Sequence, residues 1–389
     1  MTYRVQTLNA ISAHGLAQLP AESYVVASEL ADPDALLVRS ANLNNREIPA
    51  SVLAVARAGA GTNNVPVAEM SARGVPVFNT PGANANAVKE LVLAGLLVGA
   101  RNIVQAVEFS RSLEGTHDEV EELVEKGKKA FVGFELPGRV FGVVGLGAIG
   151  VQVANAAAAL GMRVLGYDPQ ITVGHAWKLS ANVEQATSIE EVLRRSDAVS
   201  LHVPLVAGTR GLIDAGRLAL MKPKALLLNF SRAAIVDEEA VVEALDRHKL
   251  RGYICDFPSP LLNGHPAVVA TPHLGASTGE AEDNCAVMAA AQLHAYLANG
   301  DITNSVNFPD AVLARSESTS RLAIANANVP NMVGRISTLL ADAGLNIADL
   351  LNKSRGELAY TVIDVEGAVP ESLAAEIRAI EGVLSVRVI

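Results

Sequence analysis

The sequence predicts an α/β protein: two doubly wound parallel sheets, flavodoxin-like and then Rossmann-like, followed by a small ferredoxin-like βαββαβ unit. Three observations carry that expectation. Short runs rich in Val, Leu, Ile and Ala alternate with helix-length stretches over most of the chain, the rhythm of parallel strands joined by crossover helices. A glycine-rich turn, "GLGAIG", stands between an apolar strand and an alanine-rich helix at residues 145–150. After residue 318 the order becomes strand, helix, strand, strand, helix, strand, which is the ferredoxin-like arrangement.

In chain order, "YRVQTLN", "YVVAS", "ALLVRS", "LAVARAG" and "PVFNT" read as strands of the first sheet. One long helical region is expected from about Asn84 to Leu113, and the charged "GTHDEVEELVEKGKK" after it belongs at the surface. A second alternating set begins near Arg139, with strands "FGVVG", "RVLGYD", "AVSLHV", "ALLLNF", "GYICDF" and "VVATPH". The run Ser188-Ile-Glu-Glu191 is a capping box that opens one of the intervening helices. Another helix is expected from about Thr278 to Asn299. Polar, turn-rich "PDAVLARSESTS" then reads as a linker into "RLAIANA", "NMVGRISTLLADAG", "NIADLLNKS", "LAYTVIDVE", "PESLAAEIRAIEG" and "VLSVRVI". These segments divide the chain into a first domain over residues 1–84 and 280–308, a second over 85–279, a linker at 309–318 and a module at 319–389.

Composition narrows the function classes. A net charge of −10 over 389 residues argues against broad binding to a nucleic-acid backbone. Mean hydropathy is positive at +0.28, yet the most apolar helical stretch, Leu91–Ala100, is too short to span a bilayer. No membrane partner is expected. "MTYRVQTLNA" lacks a signal-peptide pattern, and the expectation is a cytoplasmic protein. Cys255 and Cys285 form neither a disulfide framework nor a metal spacing, so they read as packed thiols and no metal is expected.

Gly145, Gly147 and Gly150 make a G-x-G-x-x-G turn. Its context, strand before and helix after, fits a dinucleotide site. The first glycine allows the tight turn, the second lets backbone approach a pyrophosphate, and the third lets helix pack on strand. The helix start supplies N–H donors to phosphates. Asp168 ends the next strand, 23 positions after Gly145, where a carboxylate accepts from ribose hydroxyls and repels a 2′-phosphate. Pro169 and Gln170 offer no arginine for that phosphate, so NAD is expected over NADP.

Two further residues suggest chemistry. Arg232 lies just past the C-terminal end of a predicted strand, the edge where open α/β sheets bind ligands, and its fork can hold a carboxylate. His273, in Thr-Pro-His-Leu-Gly at the end of an apolar run, is placed to move a proton.

"GLGAIG…YDP", "LHVPL", "NFSRAAIVD" and "TPHLGAST", in this order, resemble the D-isomer-specific 2-hydroxyacid dehydrogenases; "RSANLN", "GAGTNNV" and "FNTPGANANAVKELVL" extend the resemblance upstream. Residues 319–389 resemble an ACT domain, a regulatory module. The resemblance implies NAD-dependent oxidation of 3-phosphoglycerate to 3-phosphohydroxypyruvate in a homo-oligomer, dimer or tetramer. It makes the first domain the substrate-binding domain and the second the NAD-binding domain. His273 would accept the hydroxyl proton while Arg232 orients the substrate carboxylate. Besides the glycines, Ala148, Ile149, Asp168, His202, Val203, Pro204, Phe230, Ser231, Asp256 and Gly275 would line the cofactor. Arg39, Ser40, Ala60, Gly61 and Asn84 would line the substrate cleft, and Lys128 either reaches a neighbouring subunit or is a solvated charge. The other histidines, His14, His117, His175, His248, His265 and His294, lack such context.

The sequence departs from the family in one respect. A glutamate usually pairs with the histidine, and its place falls near Ser259–Leu262, where nothing is acidic. Asp256 matches instead an aspartate beside the nicotinamide carboxamide. Either Asp256 or a residue from elsewhere supports His273, or the histidine works unassisted. In the ACT-like part, Asn328 and Asn346 resemble positions that hold L-serine as an effector, while a histidine common at the place of Asn326 is missing. Two rival readings are a glyoxylate or hydroxypyruvate reductase, against which the ACT-like tail argues, and an NAD-sensing binding protein with little turnover.

Overall fold

The structure is a computed structural model that describes residues 2–315 and 319–389; the end of the expected linker, residues 316–318, lies outside the described residues. Its contacts divide the chain into two units, Met1–Asn84 with Gly279–Ile389, and Ala85–Thr278.

In the first unit, strands β1 (Tyr3–Leu8), β2 (Tyr24–Ala27), β3 (Ala35–Val38), β4 (Ala54–Arg57) and β5 (Val77–Phe78) pair in the order β2-β1-β3-β4-β5, all parallel. This is the flavodoxin-like order. The central strand β3 is buried at every position, as a parallel sheet covered on both faces requires. The short helices α1 (Ala13–Leu16) and α2 (Val67–Ala72) lie among these connections.

The second unit opens with α3 (Ala85–Arg101), α4 (Ile103–Arg111) and α5 (His117–Gly127). The single helix expected to Leu113 is therefore two, bent by 63°. The break is Asn102, which takes a left-handed conformation with φ 51°; its amide donates to Phe131 O and Val132 O at 3.3 and 3.4 Å. Asparagine tolerates that conformation better than most side chains, so the break has a local cause. The charged run beyond it forms α5 and has no buried residue, as expected.

Strands β6 (Val140–Val144), β7 (Arg163–Tyr167), β8 (Val183–Gln185), β9 (Ala198–Leu201), β10 (Ala225–Asn229), β11 (Leu250–Cys255) and β12 (Val268–Ala270) form one parallel sheet, ordered β12-β11-β10-β9-β6-β7-β8. Helices α6 (Ala148–Ala159), α7 (Val173–Ala176), α8 (Ile189–Arg195), α9 (Ala215–Leu220) and α10 (Glu238–Asp246) connect them. The chain reverses direction across the sheet at β6, the Rossmann-type switch point. Six of the seven strands match the sequence reading. The seventh, β8, is a three-residue edge strand with two exposed positions, too short and too polar to carry a periodic signal. The capping box is half as expected. Ser188 Oγ accepts from Glu191 N at 3.1 Å, but the Glu191 carboxylate reaches past Ser188 to Thr187 N at 2.8 Å.

The chain then returns to the first unit through α11 (Gly279–Asn299). Strands β13 (Thr319–Ala327), β14 (Ile347–Arg355), β15 (Leu358–Glu366) and β16 (Val383–Val388) pair antiparallel in the order β14-β15-β13-β16, with α12 (Met332–Asp342) and α13 (Glu371–Arg378) between them. This is the expected βαββαβ unit. One face of the sheet buries Leu322, Ile324, Ile363 and Val365 with side chains of α12 and α13. The other places Ala323, Ala325, Tyr360 and Val362 in one core with Tyr296, Leu297 and Phe308. The start of the expected linker joins this packing: Ala311 is buried and forms an antiparallel bridge with Ile302. Among the described residues, no single helix is long and apolar enough to cross a membrane.

Candidate active site

The carboxyl ends of the second sheet's strands carry every cofactor and catalytic residue expected in that unit. The turn after β6 holds Gly145–Gly150. Gly145 has φ 94°, and a Cβ there would lie 2.7 Å from His202 C and O. A Cβ on Gly150 would lie 1.9 Å from Gly145 O. Both positions therefore need glycine for the protein's own packing. Gly147, the N-cap of α6, is different: a Cβ there meets nothing within 4 Å. Its absence keeps an open approach at a helix N-terminus, which is what a pyrophosphate requires.

Asp168, after β7, ties this turn down. One carboxylate oxygen accepts from Leu146 N and the other from Gln170 N, both at 2.8 Å. His202, after β9, donates its backbone N–H to Val144 O at 2.7 Å, and its Nε2 lies 2.8 Å from Ser200 Oγ. Burial pushes its pKa down to about 4, so the ring is neutral near neutral pH and adds no charge beside the glycine turn. Its Nδ1 is buried without a hydrogen-bond partner among the described residues. Val203 N lies 3.0 Å from the position of a Gly145 Cβ, and Pro204 O accepts from Thr209 Oγ1 at 2.5 Å. An open Gly147, a carboxylate at the end of β7 and a buried ring nitrogen without a partner together fit NAD.

Arg232 stands on a turn built by Asn229, a fully buried side chain that the sequence reading did not single out. Asn229 Nδ2 donates to Arg232 O at 3.0 Å and to Tyr253 Oη at 3.2 Å, while its Oδ1 accepts from Ser231 N at 3.2 Å. Ser231 Oγ donates to Leu201 O at 2.7 Å. Phe230 is buried in the core. The Arg232 guanidinium is exposed, and its Nη1 donates to Ser231 O at 2.6 Å.

His273 is exposed and has the left-handed φ of 57°. Its backbone N–H donates to Thr271 O at 2.9 Å and to Asp256 O at 3.1 Å. Its ring meets Phe257 edge-on, with centroids 5.3 Å apart. Among the described residues no carboxylate is within ion-pair distance of it. Asp256, 1% exposed, is filled instead by the loop that carries the histidine. Its Oδ1 accepts from Thr271 Oγ1 at 2.6 Å and Leu274 N at 2.7 Å, and its Oδ2 from Gly275 N at 2.8 Å. An acid does approach the place of the missing glutamate, from another element: Glu238 of α10 accepts from Ser259 Oγ at 2.7 Å.

In the first unit, Arg39 and Ser40 follow β3 and Ala60 and Gly61 follow β4, again at carboxyl ends. Arg39 forms a two-pronged ion pair with Glu282 of α11, at 2.5 Å for each contact. Each partner favours the other's charged form, raising the arginine pKa and lowering that of the glutamate. Asn9, at φ 78°, accepts from Ser40 N and Ala41 N at 3.0 and 2.6 Å and so shapes the loop. Ala60 O accepts from Asn79 Nδ2 at 2.6 Å. Asn84 is the last residue before the chain leaves this unit. Asn9 and Glu282 carried no motif signal, because their roles are contacts across the sequence, whereas Asn79 lies inside "FNTPGANANAVKELVL". Lys128 pairs with Glu125 at 2.5 Å on the surface. In the C-terminal module, Asn328 Nδ2 donates to Gly356 O at 3.0 Å, and exposed Asn346 accepts at its carbonyl from Glu366 N at 2.9 Å.

A Rossmann-type sheet, a glycine turn that ends in an open helix N-terminus, and an arginine and a histidine at strand ends define a nicotinamide-dependent α/β dehydrogenase. Residues 103–275 match the sequence profile of the D-isomer specific 2-hydroxyacid dehydrogenase NAD binding domain. The D-3-phosphoglycerate dehydrogenase of Haemophilus influenzae is 35% identical over 344 residues, 85% of this chain and 79% of that one. The Escherichia coli K12 protein of the same description is 33% identical over the same shares. Among solved structures, NAD+-bound 3-phosphoglycerate dehydrogenase of Entamoeba histolytica superposes with a TM-score of 0.62 at 26% identity, over 79% of this chain and 99% of that one. The chain belongs to the D-isomer specific 2-hydroxyacid dehydrogenase family, and its cofactor is NAD.

Proposed function

We propose that the chain oxidises 3-phospho-D-glycerate to 3-phosphohydroxypyruvate with NAD, the first step toward L-serine, in the cytoplasm. The observation that carries the reading is the pair Arg232 and His273, presented at strand ends of one sheet by two separate buried scaffolds, Asn229 and Asp256. Gly145–Gly150 and Asp168 would hold NAD, which would supply the hydride acceptor. His273 takes the hydroxyl proton at a ring nitrogen, and an imidazole, which can both accept and donate a proton, serves either direction of the reaction. Arg232 turns its guanidinium from Ser231 O to the substrate carboxylate and fixes the face presented. Arg39, with Ser40, Ala60, Gly61 and Asn84, receives the remainder of the substrate, and a phosphate there competes with Glu282 for the guanidinium.

The three-part division into substrate domain, NAD domain and C-terminal regulatory module belongs to this reading, as does L-serine as an effector near Asn328 and Asn346. A homo-oligomer is supported by partly exposed apolar side chains on α3, α4 and α5, namely Leu97, Ile103, Val107 and Leu123. The test is NADH consumption with phosphohydroxypyruvate, glyoxylate and hydroxypyruvate in parallel. The phosphorylated substrate should have the highest kcat/KM, and Arg232→Lys should lower that value about 100-fold, because lysine keeps the charge and loses the fork. Preference for glyoxylate, or no turnover of any of the three, rejects the assignment.

A further inference from the structure

Within the unit Ala85–Thr278, two consecutive residues after β11 hold different parts of His273. Asp256 takes the backbone beside it, through Thr271 Oγ1, Leu274 N and Gly275 N. The imidazole is exposed and makes no hydrogen bond among the described residues; Phe257 lies against it. The ring centroids are 5.3 Å apart and the planes cross at 64°, an edge-on arrangement that aromatic pairs favour. The turn that carries Phe257 is tied at both ends. Before it, Asp256 N donates to Asn229 O at 3.2 Å. After it, Ser259 Oγ donates to Glu238 at 2.7 Å, Ser259 O accepts from Leu262 N and Asn263 N at 3.2 and 2.9 Å, and the Leu262 side chain is buried. Phe257 is therefore a fixed wall beside a ring that nothing else holds by a hydrogen bond.

We propose that Phe257 is the positioning residue of the acid/base: it sets the angle of the His273 ring by contact, where no carboxylate sets it by a hydrogen bond. The inference rests on His273 moving the hydroxyl proton in the proposed reaction. The torsion that turns an imidazole about its Cβ–Cγ bond is broad, and only some angles aim a ring nitrogen at a substrate hydroxyl. The bonds at Asp256 fix where the ring hangs and leave its rotation open. A half-buried phenyl on one side removes part of that freedom. An edge-on aromatic pair is strong enough to shift the populations of such a ring about threefold to tenfold. Contact of this kind also differs from a carboxylate in that it orients without placing a charge beside the ring. Lost orientation is read as lower turnover across the whole pH range, whereas a lost charge displaces the pH profile.

The test compares the full chain with its Phe257→Leu, Phe257→Tyr and His273→Asn variants, assayed with 3-phosphoglycerate and NAD and with phosphohydroxypyruvate and NADH over a range of pH. Phe257→Leu should lower kcat about threefold to tenfold in both directions, leave the Michaelis constants for cofactor and substrate within about twofold, and keep the pH profile in place. Phe257→Tyr retains an aromatic ring at the same position and should restore most of the turnover. Melting curves of both variants separate a local loss from an unfolded chain. Unchanged kcat in Phe257→Leu overturns the proposal. A loss confined to the Michaelis constant for NAD gives the ring to the cofactor instead, and a displaced pH profile makes its action electrostatic; either result overturns the proposal as well. So does an equal loss in the Leu and Tyr variants that tracks a lower melting temperature, which would make Phe257 a support of the fold. Parental turnover by His273→Asn rejects the acid/base reading itself, whereas impaired His273→Asn beside a normal Phe257→Leu rejects the positioning role alone.

Discussion

The carboxylate of Asp256 receives three hydrogen bonds, from Thr271 Oγ1, Leu274 N and Gly275 N. Those donors flank His273, whose left-handed backbone costs free energy that the surrounding bonds must offset. The sequence alone left two roles open for this acid, partner of the imidazole or partner of the cofactor amide. The geometry adds a third, a clamp on the backbone that aims the imidazole. Asn in its place keeps one acceptor oxygen and turns an NH2 toward a donor. Asp256→Asn should therefore lower unfolding free energy by about 1–3 kcal/mol and reduce kcat by roughly tenfold or more through a misplaced ring. The pH at which oxidation sets in should stay where it is in the parent enzyme. Urea melts and a full pH–rate profile check this, and a displaced profile with normal stability would instead make Asp256 an electrostatic partner of the ring.

At the scale of elements, the turn from β6 into α6 separates two uses of glycine that a motif treats alike. Gly150→Ala drives a methyl to within 1.9 Å of Gly145 O and should damage folding. Gly147→Ala meets no protein atom within 4 Å, so it should melt with the parent chain and still bind NAD about tenfold or more weakly, because the added methyl occupies the pyrophosphate's approach. A melting curve and an NAD titration of each variant distinguish the two, and unimpaired NAD binding by Gly147→Ala would remove the cofactor from this turn. The same contrast explains what the sequence revealed. β3, β6, β9 and β10 are nearly continuous apolar runs because both sheet faces are covered, and the glycine turn is a local pattern, so both were legible. The partners of those elements were not. Asn9 beneath Ser40 and Glu282 on Arg39 act through space, and nothing in their neighbours' identities announces it, whereas Asn229 stands inside "NFSRAAIVD", three residues before the Arg232 it supports. The kink at Asn102 and the edge strand β8 were hidden for a related reason, since one residue's conformation and three half-polar residues carry no period.

For the whole molecule, the sequence suggests a regulatory bead that can be cut away near Pro309, whereas the packing makes the C-terminal module part of the first unit's core. The end of α11 illustrates the dependence. A helix leaves its last carbonyls without intrahelical donors, and here the C-terminal module supplies several. Arg387 donates to Tyr296 O at 3.0 Å and Leu297 O at 2.8 Å, with its guanidinium 4.6 Å from the Tyr296 ring centre. Arg321, fully buried and paired with Asp364 at 2.7 and 2.8 Å, donates to Asn299 O at 3.0 Å, and Tyr360 Oη donates to Gly300 O at 2.8 Å. Removing the module would leave the carbonyls of Leu297, Asn299 and Gly300 to water, while Tyr296 O keeps Gly300 N at 2.8 Å, and would uncover Tyr296, Leu297 and Phe308, each worth about 1.5–3 kcal/mol when buried. Truncation after Pro309 should therefore yield a chain that aggregates or melts well below the parent, with the loss arising in the first unit. Arg321→Met with Asp364→Leu, which replaces the buried pair by apolar side chains, should by contrast leave a folded chain, because such replacements are often close to neutral. Hydrogen exchange of the full chain offers a direct measure: amides of α11 and β13 should open together, with similar protection. A truncated chain that folds, remains monodisperse and keeps the parent's melting temperature would show that the module is a separable bead and that the shared core contributes little.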